Sequence, residues 1–394
     1  MKKKVILLLV FIGILRFIIP IFQNRHLYTE PFDPSRYERK YNSSQYMIPQ
    51  SSKPISDEEL LTHAGYQYVL GVNPILINPD HPPLGKYIIG FFTVLFNNNR
   101  IVSVVFLLLN ISVVITLIYS LTSSPFLTSL GFFFLSFDPM LIDQCLHAPM
   151  LDIIQVFFFL LYVYILFLNM KKENKLLALL MGLSLGMLSS IKLYFPALVA
   201  LTVTLFTYIL LKKNTKKILT YLIIVTPTMF FTYAATYFNY FIKTGSFFSF
   251  FGVQKWIFLF WQNNSIDRSK VFANIVLLIL FNKWKVWWGN IPYLSYDGWS
   301  IVWPVFFVLS FGISIFILYQ AVLFYLVKSK KTKQMHPLFS PCVFLGIWFI
   351  IFFVYLCFIP ISPRYLMMLY IPAYILNVLF LPYFFQKAKY EKHR

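Results

Sequence analysis

Two short stretches near the start of the chain hold side chains whose types and spacing suit proton transfer. The first is Ser56-Asp57-Glu58-Glu59, three carboxylates in a row behind a hydroxyl. The second is Asp80-His81-Pro82-Pro83-Leu84-Gly85-Lys86. A carboxylate beside a bound hydroxyl can take its proton as that oxygen attacks another group. Each stretch also has a plainer reading. Ser56 ahead of acidic residues is a helix-capping signature, so a short helix over about 57–70 is predicted, with the carboxylates complementing its dipole. The prolines then stiffen the entry into an apolar helix that begins at Leu84. Further along, Asp138, Asp143, Asp152, Lys192 and Arg364 border long apolar stretches. Charges in such places are costly and tend to be functional.

The elements that must position these residues belong to a membrane. Of the 394 residues, 59% are hydrophobic and only 12% charged, whereas soluble domains carry roughly 25% charged residues. The net charge of +20 does not point to nucleic acid, because the basic residues gather in short segments between apolar runs. These are Lys2, Lys3 and Lys4; Lys171, Lys172 and Lys175; Lys212, Lys213, Lys216 and Lys217; Lys328, Lys330, Lys331 and Lys333; and Lys387, Lys389, Lys392 and Arg394. The positive-inside rule puts them all on the cytoplasmic face.

One arrangement satisfies every cluster, with spans near 5–22, 101–121, 125–141, 152–170, 175–191, 194–211, 218–241, 301–327, 338–359 and 365–385. That makes about ten crossings, with both termini in the cytoplasm. The first span carries Arg16 and lacks a small-x-small cleavage site, so it is read as uncleaved, its arginine partnering an outer-side carboxylate. Two long loops, 23–100 and 242–300, lie outside. Each has a short apolar stretch, 87–96 and 271–281, expected to be re-entrant or interfacial. Only Glu173 and Glu391 of the 14 acidic residues, Asp267 and Asp297 of the second loop included among the rest, fall on the cytoplasmic side. Any chemistry is therefore expected outside. The prediction is an all-α polytopic membrane protein, a single domain over 1–394 with no separate soluble domain.

Several motifs recur in a set order: Gly13-Ile14-Leu15-Arg16-Phe17, Asp57-Glu58, Ala64-Gly65-Tyr66 and His81-Pro82-Pro83-Leu84-Gly85-Lys86. Met150-Leu151-Asp152 and Gly182-Leu183-Ser184-Leu185-Gly186 with Ser190-Ile191-Lys192 follow. The set resembles the protein O-mannosyltransferase family, glycosyltransferase family 39 of the GT-C superfamily, over about the first 210 residues. The family often has Arg five residues before the Asp of Leu-Leu-Asp; here that residue is His147. The lumenal module of eukaryotic members and the soluble C-terminal domain of the related aminoarabinose transferases are absent.

The resemblance implies a GT-C-type helical bundle with a long first extracytoplasmic loop. It also implies transfer of a mannose-like sugar from a polyprenyl-phosphate donor to an acceptor hydroxyl, with inversion. Under it Asp57 is the base and Glu58 a positioning group, His81 orients the turn or the acceptor, and Asp152 reaches the same cavity. The carrier phosphate needs cations; Lys86, Lys192 and Arg364 are the candidates. No metal or other cofactor is expected, and no nucleic acid. The expected partners are membrane lipids, the donor lipid and a protein, lipid or glycan acceptor, in a prokaryotic plasma membrane.

Two alternatives stay open: a GT-C transferase acting on a glycolipid or cell-wall polymer, and a non-enzymatic lipid or polysaccharide transporter. A transporter favours midplane charges and an internal repeat, whereas the carboxylates here gather at one face. Cys145, Cys342 and Cys357 have neither metal-ligand nor redox spacing and read as buried membrane cysteines. Trp284, Trp287, Trp288, Trp299 and Trp303 read as an interfacial belt, with stacking on a sugar as the second reading. Asn42-Ser43-Ser44 and Asn263-Asn264-Ser265 match the N-glycosylation pattern.

Overall fold

The structure is a computed structural model that describes residues 2–147, 149–211, 215–244, 246–263, 271–286, 292–326 and 336–392. Lys212, Lys213, Asn264, Ser265, Asp267, Trp287, Trp288, Lys328, Lys330, Lys331, Lys333 and Arg394 lie outside the described residues. Among those described, the regular structure is helical apart from one isolated bridge between Trp284 and Leu294. That follows from composition: in hydrocarbon a backbone must satisfy its own polar groups, and a helix does so within one segment.

The first helix, α1 (Lys2–Gln23), is followed in the first long loop by α2 (Pro34–Asn42), α3 (Asp57–Val69) and α4 (Leu84–Phe96). Next come α5 (Ile101–Thr122), α6 (Pro125–Ser136), α7 (Pro139–Leu146), α8 (Leu151–Lys171), α9 (Lys175–Ser189) and α10 (Phe195–Leu210). A broken segment follows: α11 (Thr215–Thr220), a π-helical turn (Tyr221–Val225), α12 (Thr226–Ala235) and α13 (Phe238–Thr244). The second loop holds α14 (Phe247–Asn263) and α15 (Asn274–Phe281). After it run α16 (Val302–Leu326), α17 (Phe339–Cys357), a 3-10 turn (Pro363–Leu366) and α18 (Met367–Lys392).

Every predicted span falls on a helical segment, but not every one is long enough to cross alone. Six helices pass on length and apolarity: α1, α5, α8, α16, α17 and the stretch Pro363–Phe385. The pair α6–α7, bent by 57°, makes a seventh if taken as one span. The remaining three, α9, α10 and Tyr221–Ala235, are apolar but shorter. The count of ten is thus not reached by length. The two short apolar stretches of the long loops appear as α4 and α15.

The bend between α6 and α7 explains a residue that the sequence reading misassigned. Pro139 opens α7, and the Asp138 carboxylate caps it by accepting the Met140 N–H at 2.9 Å. At the end of α6 the Phe134 and Leu135 carbonyls accept the Phe137 and Asp138 N–H groups, and the Ser136 carbonyl is left without a backbone partner among the described residues. Arg16 takes it up, donating to the Ser136 carbonyl at 3.3 Å with its guanidinium 4.6 Å over the Phe137 ring. Its partner is a helix end and not the carboxylate expected. At the far end of α7, Arg100 donates to the Leu146 carbonyl at 2.8 Å and Tyr28 to the Cys145 carbonyl at 2.7 Å.

In the first loop, α3 and α4 meet backbone to backbone through Gly65 and Gly90. A methyl group on Gly90 would collide with the Gly65 carbonyl, and one on Gly65 with the Lys86 carbonyl. Neither obstacle is a side chain that can turn away. Gly90→Ala should force the two helices apart, at about 1–3 kcal/mol for overpacking. Thermal unfolding checks this; an unchanged midpoint means that the two backbones are not in close contact there.

The start of α4 is seated just as closely. The Leu84 N–H donates to the Ser190 carbonyl at 3.1 Å. A Cβ at Gly85 would lie 2.5 Å from the Leu151 side chain and 3.1 Å from the Ile191 carbonyl. The His-Pro-Pro turn is thereby pressed against the residues that flank Asp152 and Lys192.

Candidate active site

Asp57 is the first residue of α3, whose start is fixed by the Ser56 hydroxyl accepting the Glu59 N–H at 3.3 Å. Glu59 is drawn aside by an ion pair with Lys40 of α2. The Asp57 side chain is 63% exposed, and its carboxylate accepts a hydrogen bond from Nη2 of Arg364 at 2.9 Å. Arg364 stands in the 3-10 turn ahead of α18. Its Nε is 3.4 Å from Oδ2 of Asp152, within ion-pair range, but this buried N–H makes no hydrogen bond among the described residues. Its Nη1 reaches the Met150 sulfur at 3.5 Å.

Asp152, in the first turn of α8, is only 6% exposed, and its other oxygen accepts from Nζ of Lys192 at 2.8 Å. Lys192 follows α9, with its ammonium 4.0 Å over the ring of Tyr365. Four charges of alternating sign therefore form one row: Asp57, Arg364, Asp152, Lys192. They come from four separate segments, and two of the links lie where the surroundings are apolar. Such a network holds only if each member keeps its neighbours. All four had been picked out of the sequence; their order in space had not.

The His-Pro-Pro turn supplies a second group of charges. Asp80 Oδ2 lies 3.1 Å from Nδ1 of His81. Burial pushes the Asp80 carboxyl up, but the charges of His81 and Lys86 outweigh it and bring the group down to about 2. Its stabilising contribution is present above the ordinary carboxylate range and is lost as pH falls towards 2. Lys86 is fully buried, its ammonium committed to the Asn78 carbonyl, to Oδ1 of Asn78 at 2.7 Å and to the His81 carbonyl at 3.0 Å. It ties the loop down and does not join the row of four. His81 lies near enough to Asp152 for their charges to interact. The charges of Asp80 and Asp57 both reach the Tyr46 hydroxyl, which burial and these two anions push above its ordinary range.

Glu58 is half-buried, and its carboxylate has no hydrogen-bond partner among the described residues. Its charge acts on His147, whose Nδ1 lies 3.0 Å from the Asp143 carbonyl, in hydrogen-bond contact, and 3.2 Å from Oδ1 of Asp143. The Asp143 carboxylate, against some burial and with the nearby anions, raises the His147 imidazole to about 9. These contacts favour the charged imidazole at the place where the resembling family often has arginine. Asp138 plays no part here: besides capping α7 it accepts from the Tyr374 hydroxyl at 3.1 Å, deep in the core. Asp80, Met150 and Tyr365 were not singled out as site residues. Adjacency to His81, Asp152 and Arg364 was the available signal.

Residues 80–238 match the family described as dolichyl-phosphate-mannose-protein mannosyltransferase. No curated protein matches the chain. Among solved structures, the chain is similar to ArnT from Cupriavidus metallidurans bound to undecaprenyl phosphate, with a TM-score of 0.50 and 14% sequence identity. The similarity covers 92% of this chain and 59% of that one, so the chain spans about three fifths of the length of ArnT. The matched segment carries Asp80, His81, Asp152 and Lys192, and the likeness to ArnT is one of helical fold.

Proposed function

We propose that the protein transfers a sugar, mannose or a close relative, from a polyprenyl-phosphate carrier to a hydroxyl acceptor on the extracytoplasmic side. The observation that carries this reading is the row Asp57–Arg364–Asp152–Lys192, two carboxylates alternating with two cations at the edge of apolar helices. The name of the matching family supports mannose and a polyprenyl carrier, and the ArnT structure holds a carrier phosphate of that class.

The chemistry follows from the charges. Arg364 and Lys192 meet the carrier phosphate; Arg364 has an unused buried N–H to offer, and a guanidinium suits a phosphate better than a point charge does. Asp57 takes the proton of the acceptor hydroxyl as that oxygen attacks the anomeric carbon from the face opposite the phosphate, which gives inversion. Before the donor arrives, Asp57 is tied to Arg364 and is a guarded base. When the phosphate draws the guanidinium, the carboxylate is freed. Asp152 holds the two cations apart and in place, Glu58 supports the acceptor side next to His147, and His81 faces the substrate from the Pro-Pro turn. The acceptor is a protein, a lipid or a glycan.

Purified protein should transfer radiolabel from a polyprenyl-phosphate sugar, mannose first among a panel, to endogenous or added acceptors. Transfer from none of the panel would end this reading. Lys192→Gln and Arg364→Gln should each raise the donor Michaelis constant about tenfold or more, the scale of a lost charge-assisted hydrogen bond. An unchanged constant in both folded variants places the phosphate elsewhere. For the orientation, a reporter fused after Lys333 should register cytoplasm, and one inserted near Ser51 the outside; reversed signals overturn the arrangement.

A further inference from the structure

The His-Pro-Pro turn contains a carboxylate–imidazole pair that the row of four does not use. Asp80 and His81 are 14% and 15% exposed, with Oδ2 and Nδ1 3.1 Å apart. The second oxygen, Oδ1, is buried and accepts no hydrogen bond among the described residues. Lys86 does not take it, because the ammonium is committed to Asn78 and to the His81 carbonyl. Trp261 of α14 closes another side. Its indole N–H donates to the Asp80 carbonyl at 2.8 Å, and its ring meets the imidazole edge-on with centroids 5.2 Å apart. The imidazole is thus fixed through Nδ1, through its ring and through its backbone. Nε2 is left without a hydrogen bond among the described residues.

A turn has no need of a buried carboxylate, and burying one is costly unless it is paired. The pairing has a chemical consequence instead. An imidazole whose Nδ1–H is held by a carboxylate gains or loses its proton at Nε2 alone, without turning. Oδ1 accepts no hydrogen bond among the described residues, so His81 is the side chain in direct contact with the carboxylate, with the Lys86 charge acting on it from farther off. The groups facing His81 are Asp80 in its own loop, Lys86 from α4, Asp152 from α8 and the uncharged Trp261 from α14.

We propose that Asp80 is a positioning residue that makes His81 the acid of the transfer, giving the Nε2 proton to the carrier phosphate as the sugar leaves. This rests on the polyprenyl-phosphate reading above. The bond between the anomeric carbon and the phosphate oxygen breaks, and its electron pair goes to that oxygen. The acceptor oxygen forms the new bond to the carbon and loses its proton to Asp57. The phosphate takes the proton from His81 and departs as a monoanion. Asp57 then holds one proton more and His81 one fewer, and exchange with water restores both.

The test is the pH profile of kcat for the full-length protein in nanodiscs, with polyprenyl-phosphate mannose as donor and thermal unfolding as control. His81→Gln should lose about a hundredfold or more in kcat, the scale of acid–base catalysis, together with the alkaline limb of the profile. Asp80→Asn should keep donor binding, lose about tenfold or more in kcat and move the alkaline limb to lower pH, with Asp80→Glu partly restoring both. A merely structural Asp80 would weaken folding or donor binding and leave the limb where it was; that result overturns the proposal. If Asp80→Asn does not fold, His81→Gln decides alone, since it leaves Asp80 and its tie to Trp261 intact, and a surviving alkaline limb refutes the acid. Wild-type protein that transfers no sugar from any such donor defeats the functional reading itself, before any variant is compared.

Discussion

Asp57→Asn should bind donor much as the wild type does and turn over at least about a hundredfold more slowly. The amide matches the carboxylate in size and can still accept a hydrogen bond from Arg364, but it cannot take a proton from an acceptor hydroxyl. Folding should hardly change. The helix start rests on the Ser56 hydroxyl, the side chain is 63% exposed, and Arg364 retains Asp152 as a counterion. A loss of no more than about 1 kcal/mol is expected, as for an exposed ion pair. Turnover, donor binding and thermal unfolding measured on one preparation decide the matter. Near wild-type turnover in a folded Asp57→Asn removes the base assignment. Should Glu58→Gln then be inactive, the role passes to Glu58, whose carboxylate has no competing hydrogen bond among the described residues. Two active variants end the first-loop mechanism.

The opposite balance is expected for Asp152→Asn, where the fold should suffer most. The substitution leaves Lys192 and Arg364 side by side with no anion between them. Removing one partner from a buried ion pair costs about 3–5 kcal/mol, because the other charge stays buried and unpaired. A carrier phosphate would be a replacement anion for the same two cations. Adding polyprenyl phosphate at about 100 times its Kd should therefore return about 2.7 kcal/mol to the variant. Thermal unfolding with and without carrier lipid checks both figures. An Asp152→Asn protein as stable as the wild type, and indifferent to the lipid, means that the four charges do not form one buried network.

Much of this arrangement is legible from the sequence, and the reasons differ from residue to residue. Charges at the edges of apolar runs stand out because so few are tolerated there, so Asp152, Lys192 and Arg364 were candidates on type and place alone. Ser56 and the acids behind it announce the start of α3, and the observed helix begins at Asp57. What pattern cannot give is who meets whom. The link from Asp57 to Arg364 joins residues 307 positions apart, and nothing local at either end requires it. Arg16 shows the same limit differently. Its partner is a helix end created by the bend at Asp138-Pro139, and a backbone carbonyl leaves no mark in a count of charges. Lys86 looked free for a phosphate, yet the fold turns it back onto Asn78 in its own loop. The bounds of α9 and α10 lie within two residues of the predicted spans, but at 15 and 16 residues these helices are shorter than a crossing needs, which hydropathy alone does not register.

The distance in sequence between Asp57 and Arg364 also bears on how the protein is made. Insertion into the membrane proceeds from the N-terminal end, so Asp57, Asp152 and Lys192 are all in place while the turn bearing Arg364 has yet to be synthesised. In that interval Asp152 and Lys192 form a closed pair, and Asp57 has no arginine beside it. A half-inserted chain therefore lacks one of the two cations, and the row of four closes in a single late event, when the segment after residue 363 docks against α8.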